Sequence, residues 1–232
     1  MAQSKPVFMA RVIAQLLVFV VIFPMLPLFV SGQWNWLAAW IFALTYIVAF
    51  AVSRVLVARR YPDLLGERAK FLAHEDTKSW DKVLAPLLAA STVLLFVVIG
   101  LDKRFGWSPT FSPAVVIAAY GVILFGWVVG SWALLENRYF SGVVRLQRDR
   151  GQRVVNTGPY HWIRHPGYSG GLLTYLATPI FLSSLVGILP ALLLMAVLIV
   201  RTRLEDATLQ AELDGYAAYA GDVRYRLVPG VW

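Results

Sequence analysis

The chain has 232 residues, 59% hydrophobic and 15% charged, with 21 Lys and Arg against 13 Asp and Glu and a net charge of +8. Soluble domains carry about 25% charged residues, so this balance, with a mean hydropathy of +0.65, predicts an all-α, multi-pass helical membrane protein. The absence of cysteine excludes disulfides, thiolate catalysis and Cys-based metal sites, and three histidines without an HExxH-like spacing disfavour a histidine metal centre.

A helix needs roughly 20 apolar residues to cross the hydrocarbon core. The first candidate is residues 8–30, with Pro24 and Pro27 set to kink its outer end. No convincing small-residue cleavage site marks it as a signal peptide, so it reads as a retained span. Ser31-Gly32-Gln33 makes a tight turn, and the second segment, 34–57, opens with Trp34, Trp36 and Trp40 as an interfacial belt. Segments three and four are 83–101 and 113–135. Residues 168–200 are apolar but interrupted by Pro179, Ser183-Ser184, Gly187 and Pro190. A straight helix of that length would overshoot the bilayer, so a hairpin turning near 183–187 is expected. The total is five to six membrane segments in one domain, with membrane helices over 1–135 and the chemistry-bearing part over 136–232.

The charges give the orientation. With the N-terminus inside, Lys103 and Arg104 are the only basic residues outside, and the other 19 of the 21 lie inside or at inner helix ends. This asymmetry predicts both termini in the cytoplasm. It also explains the positive charge without nucleic acid, because the basic residues are dispersed along one membrane face. The compact size and lack of sorting motifs favour a bacterial plasma membrane. The 58–82 loop mixes charges with Leu64, Leu65 and Phe71, as an interfacial helix or a lid over a lipid access route would.

Two clusters could carry chemistry. The first, Gly158-Pro159-Tyr160-His161-Trp162-Ile163-Arg164-His165-Pro166-Gly167-Tyr168-Ser169-Gly170, brackets a short polar-aromatic segment between two turn signatures. Gly170-Gly171 permits close backbone approach to a ligand or to a neighbouring helix. The second cluster continues the last apolar helix: Arg201, Glu205 and Asp206. Arg201 and Glu205 share a face at i and i+4, as a surface ion pair would; Glu205 could instead turn toward the loop cluster. Adjacent acids face different ways, so at most one of Glu205 and Asp206 belongs to such a site. Tyr216, Tyr219, Tyr225 and the closing residues 227–232 are amphipathic and expected against the membrane surface. Asn137, Arg138, Gln147 and Arg148 fit a solvated helix face as well as a site. Arg54, the charge nearest mid-span, can snorkel from the end of its helix.

With Gly158-Pro159-Tyr160, Arg164-His165-Pro166-x-Tyr168-x-Gly170, Arg201…Glu205-Asp206…Leu209 and Tyr216-x-x-Tyr219 in this order, residues 136–232 resemble the isoprenylcysteine carboxyl methyltransferase family, within the broader group that includes phospholipid methyltransferases. The resemblance implies a membrane enzyme using S-adenosylmethionine in a cytoplasm-facing pocket, with a lipophilic acceptor entering from the bilayer. It implies cofactor-site roles for Gly158, Pro159, Tyr160, Arg164, His165, Tyr168, Gly170 and Glu205, and places Arg201 near the acceptor. In that setting Arg201 could hold an acceptor carboxylate by paired hydrogen bonds. Tyr160 or Tyr168 could face the sulfonium, His165 could hold the methionine carboxylate or fix the loop, and Glu205 could accept from ribose hydroxyls or the amine. The sequence departs from the family at Gln152, where members often carry histidine, at Glu205-Asp206 in place of Glu-Glu, and at Leu213-Asp214-Gly215-Tyr216 in place of Phe-Gly-x-x-Tyr. These changes leave the methyl donor better defined than the acceptor. Two other classes remain at this stage. One is an NADPH-dependent sterol-type membrane reductase, which usually has Asn-Tyr after its His-Pro. The other is a non-enzymatic membrane transporter or scaffold.

Overall fold

Hydrophobic runs become helices in the computed structural model, which describes residues 18–69 and 74–232 apart from the side chains of Phe19, Leu65 and Ala69. The first predicted segment lies in part outside the described residues, over 8–17; its remainder is a π-helical turn, Val18–Ile22, and helix α1, Phe23–Ser31. Pro24 sits in the first turn of α1, where a missing N–H leaves no bond unmade, and Gly32 ends the helix at φ +68°. Then follow α2 (Leu37–Arg60), α3 (Pro62–Ala69), α4 (Asp81–Phe105), α5 (Pro113–Glu136), α6 (Pro166–Phe181), α7 (Ile188–Glu212) and α8 (Tyr216–Asp222). The described residues contain no strand.

Helices α2, α4 and α5, of 24, 25 and 24 residues, are long and apolar enough to cross a membrane. At 1.5 Å per residue each spans roughly 36 Å, against a hydrocarbon core of about 30 Å. Their outer faces carry exposed Leu44, Val52, Ile117, Phe125 and Val128, which suit lipid, not water. The chain is a multi-pass helical membrane protein. Its inner faces meet in one apolar core that includes Leu28, Phe42, Leu95, Ile99, Ile123 and Leu194.

The expected hairpin is present: α6 and α7 are joined by residues 182–187. Buried Asp102 at the end of α4 anchors this turn. Its carboxylate accepts from the Ser108 backbone N–H at 2.8 Å, from the Ser108 hydroxyl at 2.6 Å and from the Ser184 hydroxyl. The α5–α6 contact is the most extensive in the bundle, because small residues let the backbones close. A Cβ on Gly170 would press into the Gly126 carbonyl and lie 2.8 Å from the Gly130 nitrogen, which no rotamer change can relieve. Gly170→Ala is therefore expected to destabilise the protein by about 1–3 kcal/mol, read as a lower unfolding midpoint in detergent; an unchanged midpoint would show that the helices can separate freely.

The 58–82 segment is more deeply built in than an interfacial helix. Leu64 on α3 is fully buried against Val57 of α2 and Leu134 of α5. Phe71, the other apolar residue expected of a lid, lies outside the described residues, as does the Leu65 side chain. Helices α2, α5 and α7 finish, and α4 and α6 begin, at one end of the bundle, and both chemical clusters collect there.

Candidate functional site

The connection between α5 and α6 folds back over this end. A 3₁₀ turn at Gly158–His161 starts at Gly158, which adopts φ +56°, a left-handed backbone that favours glycine. Its own Cβ position is crowded by Trp132 and Glu136, so Gly158 shapes the turn. Pro166 then opens α6 at its first position. Between this loop, residues 137–155, α7 and α8 lies a half-open cleft, about 830 Å³ with the open solvent at its mouth included. Tyr160, Arg164, His165, Tyr168 and Glu205 all line it, with Asn137, Tyr139, Gln152, Leu209, Tyr216 and Tyr219. Burial pushes the phenols of Tyr160, Tyr216 and Tyr219 above their ordinary value, so they stand there as neutral rings and donors.

Asp206, not Glu205, is the structural acid of the pair. It is fully buried and accepts from Arg226 Nε at 2.9 Å, Gln210 Nε2 at 2.8 Å and the Tyr216 hydroxyl at 3.1 Å, with His165 Nε2 at 3.3 Å. Burial alone would raise its pKa, but His165, Arg226 and Arg164 override that and hold the carboxyl down to about 2. The backbone N–H groups of Arg164 and His165 donate to the carbonyls of Tyr225 and Arg226, each at 2.9 Å, and the Ser169 hydroxyl donates to the Leu227 carbonyl at 2.6 Å. The C-terminal segment thus straps the loop. Tyr216 and Tyr219 are correspondingly buried in the protein wall of the cleft, not laid against the membrane surface as expected. The Tyr219 hydroxyl donates to the Tyr160 carbonyl at 2.7 Å.

Two charged side chains of the cleft keep hydrogen-bonding capacity for a ligand. Arg164 is 6% exposed and sits 3.3 Å from Asp206, yet that approach has no hydrogen-bond geometry. Its buried Nε has no hydrogen-bond partner, and the other guanidinium nitrogens donate to no described residue. Glu205, one position before Asp206 and so on another face of α7, accepts from the Tyr168 hydroxyl and offers its remaining lone pairs to the cleft.

Arg201 is placed differently from the expectation. It lines neither the cleft nor the second cavity described below. Its Nε and Nη2 pair with the two oxygens of Asp81 at 2.7 and 3.0 Å, its Nη2 also donates to the Gly142 carbonyl at 3.2 Å, and its Nη1 donates to the Tyr168 hydroxyl at 2.7 Å. The edge that would bind an acceptor carboxylate through paired hydrogen bonds is taken. Asp81, the first residue of α4, is fully buried and also receives the Val144 N–H at 2.6 Å. No motif pointed to it; a lone acid opening an apolar helix was the one available signal.

Of the nine residues singled out in the sequence, five therefore face the cleft. Gly158 and Pro159 build the turn, Gly170 packs α6 on α5, and Arg201 buttresses Tyr168. His165 lines the cleft and lies 3.3 Å from Asp206 through its Nε2. Asn137 and Gln147 lie on the α5–α6 connection, not on a solvated helix face. Asn137 Nδ2 donates to the Tyr160 hydroxyl at 3.2 Å, while Gln147 is buried and donates to the Tyr139 carbonyl at 2.7 Å. Gln152 lines the cleft, and its side-chain oxygen accepts from the Gln147 N–H at 2.7 Å.

A second, open cavity, about 680 Å³ with the solvent at its mouth included, lies between α2, α5 and α6. It shares Phe140 and Gly167 with the cleft, and a Cβ on Gly167 would lie 2.6 Å from the Phe140 ring. Arg54 lines this cavity, and its buried Nη1 has no hydrogen-bond partner among the described residues.

Residues 117–211 match the model of the isoprenylcysteine carboxyl methyltransferase (ICMT) family, from within α5 to the last turn of α7. This stretch includes the turn, the loop and the Arg201–Asp206 segment, and over it the chain is similar to that family of membrane methyltransferases. No curated protein sequence matches the chain.

Proposed function

From this family similarity we propose that the protein is a membrane methyltransferase, that its methyl donor is S-adenosylmethionine, bound in the cleft beneath the 158–168 loop, and that the acceptor is a lipophilic molecule reaching the site from the bilayer. The observation that carries the proposal is a buried cation, Arg164, which is ion-paired with Asp206 but donates no side-chain hydrogen bond among the described residues, together with a carboxylate, Glu205, in a cleft walled by neutral tyrosines. This donor set fits a ligand that carries a carboxylate, an ammonium, ribose hydroxyls and a sulfonium. Arg164 would hold the carboxylate through a charge-assisted fork. Glu205 would accept from the ammonium or a ribose hydroxyl. The rings of Tyr160 and Tyr216 would face positive charge, a cation–π attraction worth about 0.5–2 kcal/mol each.

When bound, the cofactor supplies an already activated methyl group. The protein's part is alignment and exclusion of water. Tyr168 is held from two sides, by Arg201 and Glu205, at the boundary between the cleft and α6. The 158–168 loop is fixed by Asp206 and the C-terminal strap, so the cleft is preorganised. The end of the bundle that bears the cleft also carries the basic residues, which supports a cytoplasmic orientation.

Calorimetric titration of the detergent-purified protein tests this. S-adenosylmethionine and S-adenosylhomocysteine are expected to bind, each at least about tenfold weaker in Arg164→Ala and in Glu205→Ala, the loss of one charged hydrogen bond. Binding of NADPH in place of both would overturn the proposal.

A further inference from the structure

The second cavity contains charge that the described residues do not answer. Arg54 lies six residues before the end of α2, about 9 Å into the helix from that end. Its guanidinium stacks on the Phe50 ring at 4.4 Å, and its buried Nη1 has no hydrogen-bond partner among the described residues. Arg68 of α3 lines the same cavity, donates one hydrogen bond to the Phe140 carbonyl at 3.0 Å and lies over the Phe140 ring at 5.4 Å. Neither arginine has an ion pair among the described residues, and residues 1–17 and 70–73 contain no Asp or Glu. The acids around this end have other partners: Asp81 has Arg201, Glu67 has Arg145 and His74, Asp63 has Arg138 and Arg150, and Glu136 has Arg60. Burial first, then the charge of Arg54, pushes the Arg68 pKa down to about 9, and it stays charged at neutral pH. An anion shared by the two arginines would relieve that repulsion. Unpaired ionisable groups at membrane depth are expensive and mark functional sites.

Depth and shape both select the anion. Helix α2 spans roughly 36 Å against a hydrocarbon core of about 30 Å, so its last turn, with Arg59 and Arg60, stands at headgroup level and Arg54 just beneath it. Long cationic side chains reach from such a depth to the headgroups. The orientation proposed above puts this end in the cytoplasmic leaflet, where anionic lipids collect and basic pockets between helices bind their headgroups. The rest of the cavity is apolar and aromatic. Tyr46 and Trp127 meet edge to face at 5.1 Å on its wall. A Cβ on Gly130, which also lines it, would meet nothing within 4 Å, so this wall leaves room. The flanking helices expose Val48, Val52, Phe125 and Val128, which suit the bilayer.

We propose that Arg54 and Arg68 bind the phosphate of an anionic glycerophospholipid of the cytoplasmic leaflet, whose acyl chains lie along the Tyr46–Trp127 wall. This lipid is a resident ligand of the bundle and not the methyl acceptor. It enters no bond-making step, and the proposal stands whether or not the chain transfers methyl groups. A phosphate with no cation beside it suits two guanidiniums, each able to fork onto a pair of its oxygens. A headgroup with an ammonium next to its phosphate would bring a third cation to the same place. The site therefore selects phosphatidylglycerol over phosphatidylcholine. Free phosphate offers the same oxygens but nothing for the apolar wall. A lipid that binds the folded protein alone also stabilises the fold by mass action.

Native mass spectrometry of the full chain in neutral detergent tests the site, with dioleoyl phosphatidylglycerol, dioleoyl phosphatidylcholine and inorganic phosphate as probes. Phosphatidylglycerol is expected to bind saturably, and about tenfold or more weakly in Arg54→Gln and in Arg68→Gln, with partial retention in Arg54→Lys. Phosphatidylcholine is expected to bind no better to the natural protein than to either Gln variant. Phosphatidylglycerol is also expected to raise the unfolding midpoint of the natural protein more than that of the Gln variants. Phosphatidylglycerol affinity unchanged in both Gln variants overturns the proposal. So does equal binding of the two lipids, since the apolar wall would then act without the cations. Inorganic phosphate that binds as tightly as phosphatidylglycerol overturns it as well, because the site would then be one for a free anion. Should Arg54→Gln fail to fold, Arg68→Gln and Arg54→Lys carry the test.

Discussion

Replacing Arg201 with Ala is expected to cost about 3–5 kcal/mol of stability, the penalty for stranding one member of a buried ion pair. Asp81 would keep the Val144 N–H and lose both contacts to the guanidinium. In Asp81→Ala the charge is stranded on the other side, on an Arg201 that is 5% exposed. The double variant strands neither, so its cost is expected to fall short of the sum of the two by on the order of 2 kcal/mol. Additive effects would mean that the two side chains do not stabilise one another. The same cycle reports on function. Arg201 reaches the cleft through the Tyr168 hydroxyl, which donates in turn to Glu205. Loss of Arg201 should therefore weaken S-adenosylhomocysteine binding as well as turnover, measured well below the unfolding temperature. Turnover lost with cofactor affinity intact would return Arg201 to direct contact with the acceptor.

What the sequence made legible follows from what local pattern encodes. Apolar runs bounded by Gly32, Ser112-Pro113 and Pro166 fixed the helices, and the breakers at 183–187 located the hairpin turn. The 158–170 cluster was legible because its turn formers, cation and aromatics are adjacent in the chain. Asp81 and Arg54 were not, since each is one charge in an apolar helix and acquires meaning from helices far away in sequence. Asp81 meets Arg201 across 120 positions, and Arg54 is notable for what fails to meet it. Tyr216 and Tyr219 were misplaced for a related reason. An amphipathic pattern says that a face is buried but not whether lipid or protein covers it, and here the cover is the 158–168 loop. Gly170 read equally as ligand approach or helix packing, and the carbonyl of Gly126 decides for packing.

Acidification is expected to remove the stability that Asp206 contributes. Asp206 has its carboxyl held down to about 2 against an ordinary 3.8. A depressed carboxyl contributes stability that is present above its unfolded value and lost as the pH falls through its folded one. The window here runs from about pH 4 down to about pH 2, and the contribution is worth about 2 kcal/mol. Asp206→Asn keeps the shape but removes the charge that Arg226, Arg164 and His165 share. Its unfolding midpoint is expected to lie below that of the natural protein near neutrality, and the two are expected to converge as the pH approaches about 2. The exposed acids with depressed carboxyls, Asp63 and Asp149, are common to both proteins, so their loss cancels in the difference. A gap that stays constant across the acid range would mean that Asp206 acts by packing alone. Glu205→Gln, which removes the acceptor of the Tyr168 hydroxyl, should weaken cofactor binding. Asp206→Asn also frees Arg226 and loosens the strap that holds the backbone of Arg164 and His165, so its cofactor affinity should fall at neutral pH even where the helices remain folded.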